Sequence, residues 1–241
     1  MSFLNAEWRK LVIVNYVVDS SVLKGYLPFG TELDLWEDKC YVSLVGFMFL
    51  NTKLLGIPIP FHRNFEEVNL RFYVKRFEDG KWKRGVVFVK EIVPKFALSF
   101  VANTVYNENY ETMPMKHDWK IENDKQIITY QFKKKGKWNL IKVETSREAS
   151  VIPLNSETEF ITEHYWGYAR INDEKTNEYE VTHPKWKAYD ILDYDIDIDF
   201  GTVYGNQFSF LDNEKPSSIM LAEGSEITVE PKKKIKGIRN K

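Results

Sequence analysis

The chain has 241 residues, a formal net charge of −1, 15% aromatic residues and one cysteine, Cys40. This charge balance excludes the basic surface of a general nucleic-acid binder, and a lone cysteine excludes an intramolecular disulfide. The N-terminal residues lack a signal-peptide pattern, and the longest early apolar run, 11–18, is too short to span a bilayer. We therefore expect a cytoplasmic protein with neither a nucleic-acid nor a membrane partner.

Runs of β-branched and aromatic residues, separated by turn residues, predict a mainly β fold. A short helix is predicted from Ser20 or Ser21 to Gly25. The strongest signal is a hairpin that turns at Asp79-Gly80, because this dipeptide favours tight hairpin turns. The predicted strands, in chain order, are 11–18, 32–36, 40–49, 65–77, 83–92, 115–122, 126–134 and 138–146.

Two helices are predicted from end signals. Pro94 suits the first position of a helix that reaches Val105, because proline has no main-chain N–H to pair there. Ser156 and Glu159 have the spacing of a capping box, which predicts a short helix towards Glu163.

The C-terminal quarter contains an acidic pattern and a basic end. Aspartates at every second position of 193–199 predict an edge strand with one charged face. A third short helix is predicted over 200–211. Because no linker rich in Gly, Ser or Pro divides the chain, we predict one domain over 1–231. A basic, disordered tail is predicted over 232–241.

The strand predicted at 65–77 has an unusual polar face. Its side chains alternate, so that Glu67, Asn69, Arg71 and Tyr73 share one face while apolar residues share the other. Such a row lies in water on an open sheet, but it lines a polar cavity inside a closed one.

The next strand ends in a charged pair, Lys90-Glu91. Simple alternation places Glu91 on one face with Val87 and Val89, and Lys90 on the other face with Phe88. Because isolated buried charges are costly, we expect both charges to be paired or to lie at a cavity mouth.

The four histidines do not predict a metal site, because their spacing provides no set of ligands. His183, before a proline, is predicted to lie in a turn and His117 on the surface. His164 begins an aromatic strand and is a candidate general base or a structural histidine. His62 completes the set.

Six segments resemble the uncharacterised YqjF-type family, in order and over nearly the whole chain. That family is distantly similar to acetoacetate decarboxylase. The resemblance implies a mainly β (α+β), largely antiparallel, cone- or barrel-like structure around an internal cavity, with a few short helices. The segments are LPFGTELDLWEDKCYVSLVGFMF, FHRNFEEVNLRFYV, RGVVFVKEIVPK, PKFALSFVANTVYNENYETMPM, THPKW and PSSIMLAEGSEITV.

The decarboxylase uses a lysine that forms a Schiff base with a keto acid, and a neighbouring cation activates that lysine. By resemblance, Lys90-Glu91 matches its Arg-Glu element, Lys95 after Pro94 its reactive lysine, and Glu67 its acid on the preceding strand. Phe96 stands where the decarboxylase has its second lysine. The resemblance therefore implies the shape and the cavity more firmly than the reaction.

Three hypotheses follow: an enzyme acting on a small organic acid or carbonyl compound, a non-catalytic protein that binds such a ligand or another partner, and a structural ion-pair network among the charges. No cofactor or metal is expected, and the oligomeric state is left open. The candidate catalytic residues are Lys95, Lys90, Glu91 and Glu67. The candidate ligand-binding residues are Arg71, Asn69, Tyr73, His164 and Tyr106.

Overall fold

A computed structural model describes residues 2–237 of the chain and confirms a mainly β protein with a few short helices. No helix in this part combines the length and the apolar character that crossing a bilayer requires. The strands are β1 (Leu4–Val18), β2 (Glu32–Leu33), β3 (Cys40–Leu54), β4 (Ile57–Pro58), β5 (Phe65–Glu78), β6 (Lys81–Val93), β7 (Tyr110–Thr112), β8 (Met115–Glu122), β9 (Lys125–Lys134), β10 (Lys137–Val151), β11 (Trp166–Asn172), β12 (Lys175–Thr182), β13 (Lys187–Asp197), β14 (Ser218–Val229) and β15 (Lys233–Lys236). The helices are α1 (Phe96–Val105), α2 (Glu157–Thr162) and α3 (Phe200–Tyr204), with 3₁₀ segments at Ser20–Leu23 and Asn206–Asn213.

Seven strands form a closed ring in the order β12-β11-β6-β5-β3-β1-β14, because β14 pairs again with β12. All neighbours in the ring are antiparallel except β6 and β11. A closed ring of strands encloses an interior. This architecture agrees with the cone- or barrel-like structure that the family resemblance implies. Two contacts between neighbouring ring strands are short. The contact of β11 with β6 pairs Trp166 with Gly85 and Gly167 with Val86. The contact of β12 with β14 pairs Val181 with Val229 and Thr182 with Thr228.

The ring strands β1, β3, β5, β6, β11 and β14 contribute side chains to an outer core on the outside of the ring. On β5, Val68 and Leu70 are fully buried in the outer core, whereas Glu67, Asn69 and Arg71 line the interior. This is the alternation that the sequence predicts for β5, and it follows from the two-residue period of a strand.

A second layer covers part of the outside of the ring. The strand order continues from β14 through β13, β10 and β9 to β8, and Tyr130 and Ile141 from this layer belong to the outer core. Gly46 on β3 allows the close approach, because a Cβ atom there would lie 3.0 Å from the Tyr130 ring and 3.3 Å from Ile141.

One end of the ring is closed by α2. The Phe160 ring lies 5.6 Å from the rings of both Trp36 and Tyr73, and 5.1 Å from that of His164. Ser156 caps α2 as predicted, because its side chain accepts a hydrogen bond from the main-chain N–H of Glu159. The Glu159 carboxylate accepts from Asn155 rather than from the cap residue, so the capping box is only half formed.

The opposite end lies where β1 and β5 begin, and where β3 and β6 end. Helix α1 follows β6 here, but it begins at Phe96 and not at Pro94. Lys95 is the N-cap residue, with an extended backbone (φ −128°, ψ 124°). Pro94 therefore precedes the cap and does not occupy the first helical position, which corrects the prediction.

Two further predictions need correction near the C-terminus. The helix expected over 200–211 is divided, because Gly205 adopts φ 112° between α3 and a 3₁₀ segment. Residues 233–236, expected in a disordered tail, form β15 along the edge of β12, where Lys233 pairs with Glu178. The last part of the expected tail, 238–241, lies outside the described residues.

Candidate functional site

The ring interior contains a cavity of about 340 Å³, a volume at the small end of the range for ligand sites. Its walls are mostly aromatic and aliphatic, and several of its polar side chains lie together in a strip. The apolar walls include Trp8, Phe47, Phe49, Phe65, Phe88 and Trp186; the polar strip includes Glu67, Asn69, Arg71, Glu91, Glu108 and Tyr110.

The polar strip begins on β5. Asn69 donates a hydrogen bond from Nδ2 to Oε1 of Glu67 over 2.9 Å, and the Tyr110 hydroxyl donates to Oε2 over 3.1 Å. Burial raises the pKa of Glu67 to about 7, although these two hydrogen bonds and the charge of Arg71 act in the opposite direction. Glu67 can therefore gain or lose a proton near neutral pH.

A β-bulge brings Glu91 into the same strip. Leu70 pairs with Lys90 but Arg71 pairs with Phe88, so that Val89 is an extra residue in β6. Because a bulge shifts the alternation by one, Glu91 and Phe88 both line the cavity. The predicted faces of β6 were therefore wrong beyond Val89.

The carboxyl group of Glu108 and the phenol of Tyr179 also lie at the site, although no sequence pattern predicted either residue there. Glu108 follows α1, and the Tyr179 hydroxyl of β12 donates to its Oε1 over 2.7 Å. Burial raises the pKa of Glu108 to about 7. Burial, together with the charges of Glu108 and Glu67, raises the pKa of Glu91 well above its usual value. Three carboxyl groups therefore share one buried region.

Gly167 makes room for Tyr179. A Cβ atom at this position would lie 2.1 Å from the Tyr179 ring and 2.5 Å from its hydroxyl, so that Tyr179 would have to move. The absence of a side chain on β11 thus lets the phenol lie against the neighbouring strand and reach Glu108.

His164 is held at the α2 end of the cavity. Its Nε2 lies 3.2 Å from Oδ2 of Asp34, to which Nε of Arg84 donates over 2.6 Å. Burial lowers the pKa of His164 to about 4, more than the Asp34 contact raises it. The neutral ring donates from Nε2 to the carboxylate, so Nδ1 is a hydrogen-bond acceptor. His183, predicted in a turn, also lines the cavity and stacks on Trp186 with ring centroids 4.2 Å apart.

Several polar atoms of cavity-lining side chains have no hydrogen-bond partner in residues 2–237. Buried groups of this kind are uncommon in folded proteins and mark places where a ligand can bind. Arg71 is 8% exposed and forms no salt bridge in this part of the chain, although it is the one Lys or Arg side chain lining the cavity. The unpartnered atoms are Trp8 Nε1, Thr52 Oγ1, Asn69 Oδ1, Arg71 Nε, Glu91 Oε2 and His164 Nδ1.

The two candidate lysines lie away from these groups. Lys90 is on the outer face of β6, where Nζ bonds Oε2 of Glu111 at 2.9 Å and the carbonyl oxygen of Val203 at 2.5 Å. Lys95, the N-cap residue of α1, donates a hydrogen bond from Nζ to the main-chain carbonyl oxygen of Phe61. Neither lines the cavity.

Of the two tyrosines among the candidate ligand-binding residues, one lines the cavity and the other does not. Tyr106 lines the cavity. Tyr73 is fully buried behind it, with its hydroxyl 2.7 Å from Oγ of Ser43. The hypothetical ion-pair network does not form among the described residues, because Lys90 lies on the other side of the sheet from Glu67 and Arg71. No group of His, Cys, Asp and Glu side chains in residues 2–237 has an arrangement that could hold a metal ion.

Solved structures show where this fold occurs. The acetoacetate decarboxylase of Legionella pneumophila is 12% identical, with a TM-score of 0.67 over 96% of this chain and 86% of that one. An acetoacetate decarboxylase-like enzyme from Sphingomonas wittichii RW1 is 9% identical, with a TM-score of 0.66 over 99% and 95%. The enduracididine biosynthesis enzyme MppR, complexed with pyruvate, is 10% identical, with a TM-score of 0.66 over 97% and 90%. At these identities the similarity shows the fold alone.

Sequence comparison gives the family. Protein YqjF of Bacillus subtilis (strain 168), described as uncharacterized, is 28% identical over 134 residues, or 55% of this chain and 52% of YqjF. The aligned part is therefore about half the length of that curated relative. A model of the uncharacterized conserved proteins called DUF2071 matches residues 5–226. This β-ring protein, with an acetoacetate decarboxylase-like fold, therefore belongs to the DUF2071 family.

Proposed function

We propose that this protein binds a small organic acid or carbonyl compound in the ring cavity, with Arg71 as the anchor for a carboxylate. The observation that carries the proposal is the state of Arg71, a buried guanidinium on the cavity wall with no salt bridge in the described chain. An unpaired buried charge is costly, and a bidentate carboxylate is the partner that best fits a guanidinium.

The same site argues against a Schiff base. Attack on a carbonyl needs a neutral lysine within reach of the ligand. Within residues 2–237, Lys90 and Lys95 bond to protein oxygens outside the cavity, and no other lysine lines it. In borohydride trapping with pyruvate, we therefore expect no mass adduct on either lysine. An adduct on Lys95 would instead support decarboxylase-type chemistry.

Isothermal titration calorimetry tests the anchor. Acetate, pyruvate, butanoate and hexanoate are the probes, each compared with its amide. Arg71→Gln is expected to weaken carboxylate binding by 10- to 100-fold, since a hydrogen bond to a charged group contributes about 1.5–3 kcal/mol. The matched control is Arg147→Gln, because Arg147 is exposed. Equal binding of acids and amides, or unchanged binding by Arg71→Gln, would refute the proposal.

Proton transfer is a second candidate function, and the cluster of Glu67, Glu91 and Glu108 favours it. A carboxyl with a pKa of about 7 can act as a general acid or base at neutral pH. The expected activity is exchange of the protons next to the pyruvate carbonyl, followed by NMR in D₂O. The enzyme hypothesis predicts faster exchange than in buffer and its loss in Glu67→Gln. Exchange at the buffer rate, with pyruvate bound, would favour a binding protein.

A further inference from the structure

We propose that the natural ligand is an elongated monocarboxylic acid with an apolar body, which enters with its carboxylate first. This inference rests on the proposed function, because it assumes that Arg71 holds the carboxylate. It specifies in addition how deep in the cavity the carboxylate binds, from which end the ligand enters, and that the rest of the ligand is apolar.

The direction follows from the order of residues along β5. Arg71 pairs with Ser43 and lies two positions from the buried Tyr73, near the end that α2 closes. Phe65 pairs with Phe49 at the opposite end. At about 3.3 Å per residue, the six positions from Phe65 to Arg71 span about 20 Å. An acid bound at Arg71 therefore has its remaining length towards α1.

The α2 end gives the ligand no way through in the described chain. Tyr41, Tyr73 and Phe160 are all at most 4% exposed, and the guanidinium of Arg84 lies 4.7 Å above the Phe160 ring. At the other end, the cavity-lining Ile59 is 39% exposed. The carboxylate at Arg71 is thus at the deep end and the tail is at the open end.

The walls between these ends suit an apolar tail. Trp8 lies with its ring centroid 5.5 Å from that of Phe47, and Phe49 stacks on Phe65 at 4.7 Å. On α1, the half-buried side chains that line the same space are aliphatic, and they include Val101 and Ala102. Burying a hydrocarbon chain against such walls is favourable in proportion to its area.

The charges restrict the ligand to one carboxylate. The cavity contains one guanidinium and the three carboxyl groups of Glu67, Glu91 and Glu108. A second carboxylate or a phosphate on the tail would lie among acids and aromatic rings, with no further Lys or Arg of the described chain on the wall. Dicarboxylic acids and phosphorylated compounds are therefore expected to bind poorly.

Calorimetry with straight-chain acids tests this inference. Affinity is expected to rise about fourfold with each added methylene from butanoate to octanoate, which corresponds to about 0.8 kcal/mol per buried methylene. Octanedioate is expected to bind at least tenfold more weakly than octanoate. If affinity is independent of chain length, or if octanedioate binds as well as octanoate, the inference is wrong.

The direction of entry has its own test. Ala102→Phe narrows the open end and is expected to weaken octanoate at least tenfold more than butanoate. Equal losses for both acids would contradict entry with the carboxylate first. Thermal melting of the variant checks that it is folded. If no acid of any length binds, or if Arg71→Gln binds them all normally, the proposed function itself fails, which is a different result from a missing length dependence.

Discussion

Ionisation of Glu67 places a negative charge in a region shielded from water, because its side chain is buried. Burial therefore raises its pKa from 4.5 to about 7. A carboxyl with a raised folded-state pKa contributes stability that is complete below pH 4.5 and is lost as the pH rises to about 7. At about 1.4 kcal/mol per pKa unit, this contribution is up to about 3 kcal/mol.

We therefore expect the free energy of unfolding of the wild type, relative to Glu67→Gln, to fall between pH 4.5 and pH 7. Urea unfolding of both proteins at several pH values measures the difference. Both proteins contain His164, whose lowered pKa of about 4 makes stability rise with pH in an overlapping range. Its contribution to the free energy of unfolding therefore cancels in the comparison. Glu148→Gln is the control, because Glu148 is exposed. A constant difference would show that Glu67 is not buried as described.

A second prediction at the residue scale concerns Gly167. Gly167→Ala is expected to destabilise the protein by about 1–3 kcal/mol, since the added methyl group overlaps the Tyr179 ring and overpacking costs about this much. It should also weaken ligand binding, because Tyr179 must leave Glu108. Gly25→Ala is the matched control, with no atom within 4 Å of the new Cβ. Equal denaturation midpoints for the two variants would contradict this account.

Phe160 is the aromatic one of the three buried residues of helix α2. Phe160 packs against Trp36, Tyr41, Tyr73 and His164. We expect Phe160→Ala to cost about 3–5 kcal/mol of stability, the usual range for a large aromatic side chain removed from a core. Chemical denaturation measures this, and Phe160→Leu should lose less because it refills part of the volume. If the alanine variant is as stable as the leucine variant, Phe160 does not close the ring.

The elements also show how far the sequence predicts the site. Alternation on β5 correctly placed Glu67, Asn69 and Arg71 on one interior face, because that strand has a regular pleat. The same rule failed on β6, since the bulge at Val89 has no signature in the side chains. Glu108 lies in an irregular segment after α1, where no periodicity exists to predict its direction.

At the scale of the whole molecule, the length of main-chain pairing between neighbouring strands differs around the ring. β1 pairs with β3 and β14 along most of its length. In the described chain, the hairpin of β11 and β12 has, in contrast, just two short stretches of main-chain pairing with its ring neighbours, at 85–86 of β6 and at 228–229 of β14. The sequence could not predict this closure, because pairing of distant strands depends on the assembled ring and not on local pattern.

Hydrogen–deuterium exchange followed by mass spectrometry tests this difference. Main-chain amides at the two short contacts are expected to exchange through openings of lower free energy than amides within 11–16 and 42–49, because fewer strand pairings hold these contacts together. A bound acid should slow the exchange at the contacts, since Gly167 and Val181 line the cavity. Uniform protection around the ring would contradict the expectation.

The closure at Phe160 has a consequence for kinetics. A pocket with a single opening is filled and emptied by the same route, so whatever is held at Arg71 departs only after the tail has withdrawn past α1. Because Arg71 is the one guanidinium of the described chain on the cavity wall, one carboxylate is held there at a time. Two different acids should compete strictly with each other, and longer tails should prolong residence by slowing departure more than by speeding arrival.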